Sequence, residues 1–341
     1  MMIKSNLEPL DYDDVLLVPE HSYIKSRKDV NIFVTNKRYM PIFSAPMRGI
    51  SNVPFIKELS KLGGIGILHR FFSTEAERLE AIMQLKGTKN YGISIGINQW
   101  KKELIYVKLA VENGAKFICI DTATGHMQRT IDSVYSLNEY RQENNLNFEI
   151  ISGNVATYEG SYLLAQAGSD FIRVGIGGGS VCATRGVTSV GIPDLTAIQD
   201  CSNIKNLYPN VKIIADGGIK DSGRAVKAFA FGADYVMIGS LFGKSKESNN
   251  GGIVHGMSSY KLQNEMGKHL KSNEGLVMQI PEEDIRPLKE IYEEFIWGLR
   301  SGLSYLDCSD INELHNQEVI YIKTGNGTLK NYDRKRNNYW S

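Results

Sequence analysis

The sequence predicts an α/β fold of a single domain, a (β/α)8 TIM barrel with a mobile loop after the eighth strand. Eight short apolar segments recur at intervals of roughly 20–30 residues, with amphipathic segments between them. Their hydrophobicity is continuous rather than alternating, as in parallel strands that are covered on both faces. The length of 341 residues suits such a barrel, which needs about 250 residues plus insertions. An open, doubly wound sheet is the alternative that this pattern leaves.

Each predicted strand ends in glycine or polar residues, and in a barrel these ends form the catalytic face. The strands span residues 41–47, 64–69, 91–97, 117–123, 148–155, 171–176, 212–218 and 235–240. Helices are predicted at 52–62, 74–85, 102–113, 158–167, 221–231 and 286–299. Residues 243–252 are polar and glycine-rich and are expected to be the mobile loop. We assign residues 1–320 to the barrel and the basic residues 321–341 to a flexible C-terminal tail.

Charge and cysteine content exclude several classes of protein. Lys and Arg number 39 against 38 Asp and Glu, so no overall field attracts nucleic acid or an anionic membrane. Cys119, Cys182, Cys201 and Cys308 are too far apart for a CxxC zinc site or a disulfide framework. The first residues do not form a signal peptide, and no run of about 18 apolar residues occurs. A cytoplasmic protein without nucleic-acid or membrane partners is expected.

The most unusual segment is VGIGGGSVCATR, at residues 174–185. An apolar strand end runs into three consecutive glycines, which let the backbone approach a ligand closely. Cys182 and Thr184 follow, so a thiol and a hydroxyl are delivered at the catalytic face. The alternative is a buried structural cysteine. The glycine spacing does not match GxGxxG, which argues against a Rossmann dinucleotide site.

Two further loops indicate a phosphate site. Gly217 and Gly218 follow Asp216 after the seventh strand, and Ser240 follows Gly239 after the eighth. Loops in these positions commonly bind phosphate through backbone N–H groups, and Ser180 would add a hydroxyl. A carboxylate repels phosphate, so Asp216 is expected to bind a sugar diol. The alternative is that the glycines end the strands and Asp216 caps a helix.

Several titratable side chains are candidates for proton transfer by position alone. They are His69, His126, His255, His269 and Glu274. Each such histidine is more often structural than catalytic. From its residues alone, the chain is therefore interpreted as a barrel enzyme with a phosphorylated substrate and a possible cysteine nucleophile.

Four stretches taken together resemble the family of inosine-monophosphate dehydrogenases and guanosine-monophosphate reductases. They are LDYDDVLLVP at residues 10–19, SAPM at 44–47, the segment 174–185, and ADGGIKDSGRAVKAFAFGADYVMIGS at 215–240. The similarity covers most of residues 7–310. It implies a (β/α)8 barrel that assembles as a homotetramer and acts on GMP or IMP.

The resemblance also implies a role for each matched residue. Cys182 attacks C2 of the purine and forms a covalent adduct, while Thr184 and Glu274 handle protons. The implied nucleotide contacts are Ser180, Asp216, Gly217, Gly218, Gly239, Ser240, Met257, Ser258 and Gly275. The implied cofactor contacts, some across a subunit boundary, are Ser26, Arg27, Arg70, Asp121, Thr122, Ala123, Ser304 and Tyr305. Carbonyls of Gly177, Gly179 and Cys182 are implied to bind a monovalent cation such as K+.

Features of the reductase branch are present: GMSS at residues 256–259, Thr184, and a glutamate at 274. Members of the dehydrogenase branch usually carry inserted regulatory modules, for which this chain has no room. They also use an Arg-Tyr pair that is absent from residues 257–275. The resemblance therefore implies NADPH-dependent conversion of GMP to IMP and ammonia. The alternatives are a compact IMP dehydrogenase, which forms XMP with NAD, and a nucleotide-binding regulator that has lost catalysis.

The chain departs from the family pattern in three places, one of which is Lys271, where many reductases have Arg. Gly178 stands where the cysteine loop normally has proline, so the loop costs more entropy to order. His69, Arg70 and Phe71 replace the His-Lys-His of one reductase subgroup.

Overall fold

Eight parallel strands form a ring in the computed structural model, which describes residues 9–34, 39–248, 250–259, 274–316 and 318–323. A short strand, β1 (Val15–Leu17), precedes the ring. The ring strands are β2 (Ile42–Ser44), β3 (Gly66–Leu68), β4 (Tyr91–Ile95), β5 (Phe117–Ile120), β6 (Glu149–Val155), β7 (Phe171–Val174), β8 (Lys212–Asp216) and β9 (Tyr235–Ile238). Their order is β2-β9-β8-β7-β6-β5-β4-β3. Ile65 closes the ring, because its N–H donates to Ile42 and its carbonyl accepts from Ser44, both at 2.9 Å. The predicted (β/α)8 barrel is confirmed.

Helices connect the strands over the outside of the barrel. They are α1 (Val53–Lys61), α2 (Glu75–Gln84), α3 (Trp100–Glu112), α4 (Gln128–Glu143), α5 (Tyr158–Gln166), α6 (Thr184–Thr188), α7 (Asp194–Ser202), α8 (Ser222–Ala230), α9 (Leu288–Tyr305) and α10 (Ile311–Asn316). The side chains of Asn52, Thr74, Thr157 and Asp221 each accept a backbone N–H three residues on, which fixes where four of the helices begin. The helix predicted at 286–299 extends to Tyr305. No helix within the described ranges is long and apolar enough to cross a membrane.

An aromatic cluster fills the lower part of the barrel interior. Phe43, Phe117, Phe171 and Tyr235 project inward from β2, β5, β7 and β9, and each is at most 3% exposed. Neighbouring rings meet mostly edge to face, with centroids 5.1–5.8 Å apart. Such pairs add to the stabilisation from apolar burial. The cluster fills the interior near the amino-terminal ends of the strands, so the carboxyl-terminal ends can carry polar residues.

Two small sheets lie outside the barrel. After β9, strands β10 (Ile253–His255) and β11 (Val277–Gln279) form an antiparallel hairpin. Strand β12 (Tyr321–Lys323) pairs with β1, so the first three residues of the segment assigned to the tail belong to a sheet. The rest of that tail lies outside the described residues.

The loop expected to be mobile begins with two 3-10 turns, at Phe242–Lys244 and Lys246–Ser248. Ser245 and Ser248 are buried in these turns. Residues 260–273, which include the candidate His269, lie outside the described part of the chain.

Truncating the aromatic cluster should destabilise the protein strongly. Phe117→Ala removes a fully buried ring between three aromatic neighbours and leaves a cavity, so we expect the free energy of unfolding to fall by about 3–5 kcal/mol. Urea denaturation measures this change. The control is Ile105→Ala on α3, where the side chain is 61% exposed and the loss should stay within about 0.5 kcal/mol. Equal losses in both variants would contradict the packing described for the barrel interior.

Candidate active site

The loop that carries Cys182 is held by the segment just before β11. The N–H of Ala183 donates to the carbonyl of Glu274 at 2.8 Å, and the N–H of Leu276 donates to Val181 at 2.8 Å. Cys182 and Gly275 therefore face each other as an antiparallel pair. A Cβ on Gly275 would lie 2.8–2.9 Å from backbone atoms of Ser258 and Gly256, so glycine permits this close approach. The backbone pairing brings three predicted site segments to one place.

Cys182, Thr184 and Glu274 form a continuous hydrogen-bonded chain. The thiol of Cys182 donates to Oγ1 of Thr184 at 3.2 Å, and that hydroxyl donates to Oε2 of Glu274 at 3.0 Å. Thr184 and Glu274 are 90 positions apart in the sequence. A thiol, a hydroxyl and a carboxylate in series can pass a proton between a bound molecule and the carboxylate.

Cys182 differs from the other cysteines in its exposure. Cys119, Cys201 and Cys308 are each 0% exposed, whereas Cys182 is partly exposed. Burial raises the pKa of both Cys119 and Cys201 to about 12, which keeps those thiols protonated and unreactive. Cys182 is the one cysteine that can reach a substrate.

The residues predicted to bind phosphate converge beside this loop. Oγ of Ser240 donates to Oγ of Ser180 at 3.2 Å, although the two residues follow different strands. Gly217 and Gly218 have φ angles of +109° and +72°, which glycine adopts without strain. A Cβ on Gly217 would lie 3.3 Å from the backbone nitrogen of Gly179, so the two glycine loops are in close contact. Together they form a polar surface of hydroxyl and backbone groups.

A buried arginine in β7 joins this surface to the neighbouring strand ends. Arg173 bonds Asp216 through Nε at 2.9 Å and Asp121 through Nη1 at 3.2 Å, and Arg70 bonds the other oxygen of Asp121 at 3.3 Å. Asn154 also donates to Asp216 at 2.8 Å. Burial opposes the charge of Arg173, but Asp216 and Asp121 outweigh it and raise the pKa of the guanidinium. Two cations and two anions thus alternate across the barrel mouth.

Arg173 is not among the residues predicted from the sequence. Its signal was available, because a charged residue interrupts the otherwise apolar strand FIRVGI. Arginine is almost never fully buried unless it is paired. A buried strand with one arginine therefore predicts partner carboxylates on neighbouring strands.

A cavity of about 490 Å³ opens next to Arg70 and Asp121. Thr122 and Ala123 also line it, so four of the predicted cofactor residues come together there. Its far wall contains an ion pair of 2.7 Å between Arg78 and Glu103. The cavity offers both charged groups and apolar surface to a ligand.

The remaining predicted cofactor residues lie elsewhere in the chain. Arg27 donates to the hydroxyl of Tyr305 at 3.4 Å, at the carboxyl end of α9. In α9, Gly298 lies against Ser222 and Gly302 against Val226, so α9 runs parallel to α8 and away from the barrel mouth. Ser26, Arg27, Ser304 and Tyr305 therefore do not reach the cavity of their own chain, and their role across a subunit boundary remains a prediction.

His69, at the end of β3, is held neutral. It is 7% exposed, and its Nδ1 accepts the N–H of Phe71 at 3.1 Å, so the other ring nitrogen carries the proton. Burial, with Arg48 and Arg78 nearby, lowers the pKa of His69 to about 3. His69 is thus suited to hydrogen bonding without charge at neutral pH.

Comparison with known proteins identifies relatives along nearly the whole chain. The family described as "IMP dehydrogenase / GMP reductase domain" matches residues 9–331. A GMP reductase of Buchnera aphidicola subsp. Acyrthosiphon pisum is 32% identical over 335 residues, which cover 92% of this chain and 94% of that protein. An inosine-5'-monophosphate dehydrogenase of Borreliella burgdorferi is 30% identical over 401 residues, covering 96% of each. A GMP reductase of Phytophthora infestans is 31% identical over 334 residues, covering 91% of this chain and 90% of that protein.

These relatives carry both activity names at similar identity. The Borreliella protein, which carries the dehydrogenase name, aligns over 96% of its own length. The expectation that a short chain favours the reductase stays a prediction, and the names of the relatives do not separate the two branches. Only residues at the site can distinguish them.

His69 should make the protein less stable in acid. Its folded-state pKa lies below the unfolded value of 6.5, so as the pH falls the unfolded state binds the proton first. The contribution of neutral His69 to the free energy of unfolding is complete above about pH 7. It falls as the pH drops from 6.5 towards 3, and the loss amounts to about 2 kcal/mol at pH 5. In urea denaturation, the free energy of unfolding of His69→Gln should decline by about 2 kcal/mol less between pH 7 and pH 5 than that of the wild type. The exposed His21→Gln is the control, and a full wild-type decline in His69→Gln would refute the assignment.

Proposed function

The chain belongs to the IMP dehydrogenase / GMP reductase family of oxidoreductases, and within that family we propose that it is a GMP reductase. The reaction is GMP + NADPH + H+ → IMP + NADP+ + NH3. The observation that carries this proposal is the hydrogen-bonded chain from Cys182 through Thr184 to Glu274. A reductase must protonate an amine leaving group at the carbon that the cysteine attacks, and this chain ends in a carboxyl group beside the thiol.

Cys182 acts as the nucleophile in this proposal. Its sulfur bonds to C2 of the guanine ring, and C2 becomes tetrahedral while it still carries the amino group. The thiol proton passes through the hydroxyl of Thr184 to the carboxylate of Glu274, and Glu274 returns it by the same route to the amino group, which leaves as ammonia. When bound, the nicotinamide cofactor supplies the hydride that C2 requires. Cleavage of the bond between sulfur and C2 then frees IMP and regenerates the cysteine.

The nucleotide is held by groups that do not take part in bond formation. Hydroxyls of Ser180 and Ser240 and backbone N–H groups of Gly217 and Gly218 suit the 5'-phosphate. The carboxylate of Asp216 is oriented by Arg173 and Asn154, and it suits the ribose hydroxyls. Gly239, Met257, Ser258 and Gly275 complete the proposed nucleotide contacts. Fixing phosphate and ribose places C2 against Cys182 and so reduces the entropic part of the barrier.

The cavity at Arg70 and Asp121 is the proposed nicotinamide site. Its volume and its mixed lining, with Thr122 and Ala123 on one wall, suit an amide-bearing ring next to a sugar. We assign NADPH as the cofactor and a monovalent cation such as K+ to the carbonyls of Gly177, Gly179 and Cys182. A cytoplasmic homotetramer is the proposed form of the enzyme, with Ser26, Arg27, Ser304 and Tyr305 serving a neighbouring subunit.

The second candidate is a compact IMP dehydrogenase, which would convert IMP and NAD to XMP. It is favoured by two relatives of that name, which match over 94% and 96% of their own length. It must hydrolyse the cysteine adduct, and the Arg-Tyr pair expected for this step does not occur in residues 257–275.

An absorbance assay separates the two activities. Purified protein with GMP should oxidise NADPH and release ammonia, whereas IMP with NAD should yield no XMP. Cys182→Ala should abolish turnover and still bind GMP in calorimetric titration, because the phosphate and ribose contacts come from other residues. Formation of XMP without NADPH oxidation would establish the dehydrogenase. Loss of GMP binding together with activity in Cys182→Ala would mean that the cysteine has a structural role.

Glu274→Gln tests the proton relay. The amide keeps the shape but cannot supply the proton, so we expect kcat to fall by a factor of about 10²–10⁴ with little change in KM. Steady-state kinetics with NADPH and GMP measures both constants. Glu283→Gln, at an exposed position, is the matched control and should keep wild-type kinetics. A change confined to KM would assign Glu274 to binding and not to proton transfer.

A further inference from the structure

Position 178 requires glycine because a neighbouring side chain leaves no room for a Cβ, and not because its φ angle is positive. Gly175 and Gly177, in the same loop, have φ angles of +132° and +78°, which side chains rarely tolerate. Gly178 is not among the residues with positive φ. A Cβ there would nevertheless overlap the carboxyl group of Asp194, lying 2.7 Å from its Cγ and closer still to Oδ2. The carboxyl group of Asp194, from α7, therefore occupies the space that a side chain at position 178 would need.

Asp194 is firmly held in that position. It is the first residue of α7, it is 4% exposed, and its Oδ1 pairs with Nη2 of Arg185 at 2.6 Å. An aspartate in the first turn also suits the positive end of the helix dipole. Burial, with Asp11 nearby, raises the pKa of Asp194 to about 7 although Arg185 opposes this, so the size and place of the carboxyl group define its contact with the loop, and not its full charge.

Arg185 also forms hydrogen bonds to both ends of the cysteine loop, the segment between Ile176 and Ile192 that carries Cys182. Its Nε donates to the carbonyl of Ile176 at 2.7 Å, and its Nη2 donates to the carbonyl of Ile192 at 2.7 Å. Cys182 lies between these two anchor points. The ion pair with Asp194 therefore fixes the segment from which the thiol projects.

Asp194 also touches the second loop of the nucleotide site. A Cβ on Gly218 would lie 3.1 Å from Oδ2 of Asp194 and 2.9 Å from the ring of Tyr12. The same carboxylate oxygen thus lies against Gly178 of the cysteine loop and against Gly218 of the loop after β8, which we call the phosphate loop. Asp194 therefore lies between the two loops.

We propose that Asp194 is a positioning residue, whose carboxylate, matched to the missing side chain of Gly178, sets the place of Cys182 relative to the phosphate loop. The proposal rests on the proposed function in one respect, that Cys182 is the nucleophile. Asp194 does not touch the reacting atoms. It acts through Arg185 and through its contact with Gly178.

A double-mutant cycle tests this pairing through the reactivity of Cys182. The rate of Cys182 alkylation by iodoacetamide, followed by mass spectrometry on folded protein, needs no nucleotide, and the other three cysteines are buried. Gly178→Ala should change this rate by about fivefold or more in the wild type and by less than about twofold in Asp194→Ala, where the overlap is gone. Gly186→Ala is the matched control, because a Cβ there meets nothing within 4 Å, and it should leave the rate unchanged.

Asp194→Asn separates shape from charge. The amide keeps the volume of the carboxylate, so Gly178→Ala should remain disruptive in that background. If Gly178→Ala fails to fold, recovery of folding by Asp194→Ala supports the pairing, and failure in both backgrounds overturns it. An equal effect of Gly178→Ala on the alkylation rate in all backgrounds, or no effect in any, also overturns it.

The same variants distinguish this proposal from the proposed function. If the alkylation cycle behaves as expected and the wild type does not oxidise NADPH with GMP, only the assigned reaction fails. If the wild type reduces GMP and the cycle shows no coupling between positions 178 and 194, only the role of Asp194 fails.

Discussion

The site depends on the antiparallel pairing between the cysteine loop and the segment that leads into β11. Two backbone hydrogen bonds, Ala183 to Glu274 and Leu276 to Val181, hold residues that belong to separate parts of the chain. Because backbone geometry fixes the direction of each side chain, the pairing sets Glu274 against the hydroxyl of Thr184. Without it, a thiol and a carboxyl would lie on unrelated loops. The chemistry therefore follows from a backbone constraint more than from any single side chain.

A second constraint is electrostatic and lies one layer deeper in the barrel. The alternation Arg70, Asp121, Arg173, Asp216 balances two positive and two negative charges, and the central Arg173 is buried. Breaking a buried pair leaves an uncompensated charge, which costs several kcal/mol. Asp216 lies on the proposed nucleotide side and Asp121 on the proposed cofactor side. One arginine therefore fixes the orientation of both binding surfaces.

The fold alone does not identify the reaction. Relatives with either activity name align along the same barrel, and their identities to this chain differ by only a few per cent. The two reactions share an attack by sulfur on C2 and differ in what happens to the leaving group and the adduct. The residues that move protons next to the cysteine are consequently the ones on which the choice of branch depends.

The sequence by itself indicated eight β–α units, because apolar strands and amphipathic helices follow from local periodicity, and it left an open sheet as the alternative to the barrel. It also identified Cys182 and the glycine loops, since these signals are contiguous. It did not identify Arg173 or Asp194. For Gly178 it predicted only that the cysteine loop costs more entropy to order than it would with proline. Tertiary structure alone decided that Thr184 meets Glu274 across 90 positions and that Asp194 fills the space beside Gly178. Contacts of this kind depend on barrel closure and on how loops from different strands meet, and neither is encoded in the spacing of residues along the chain.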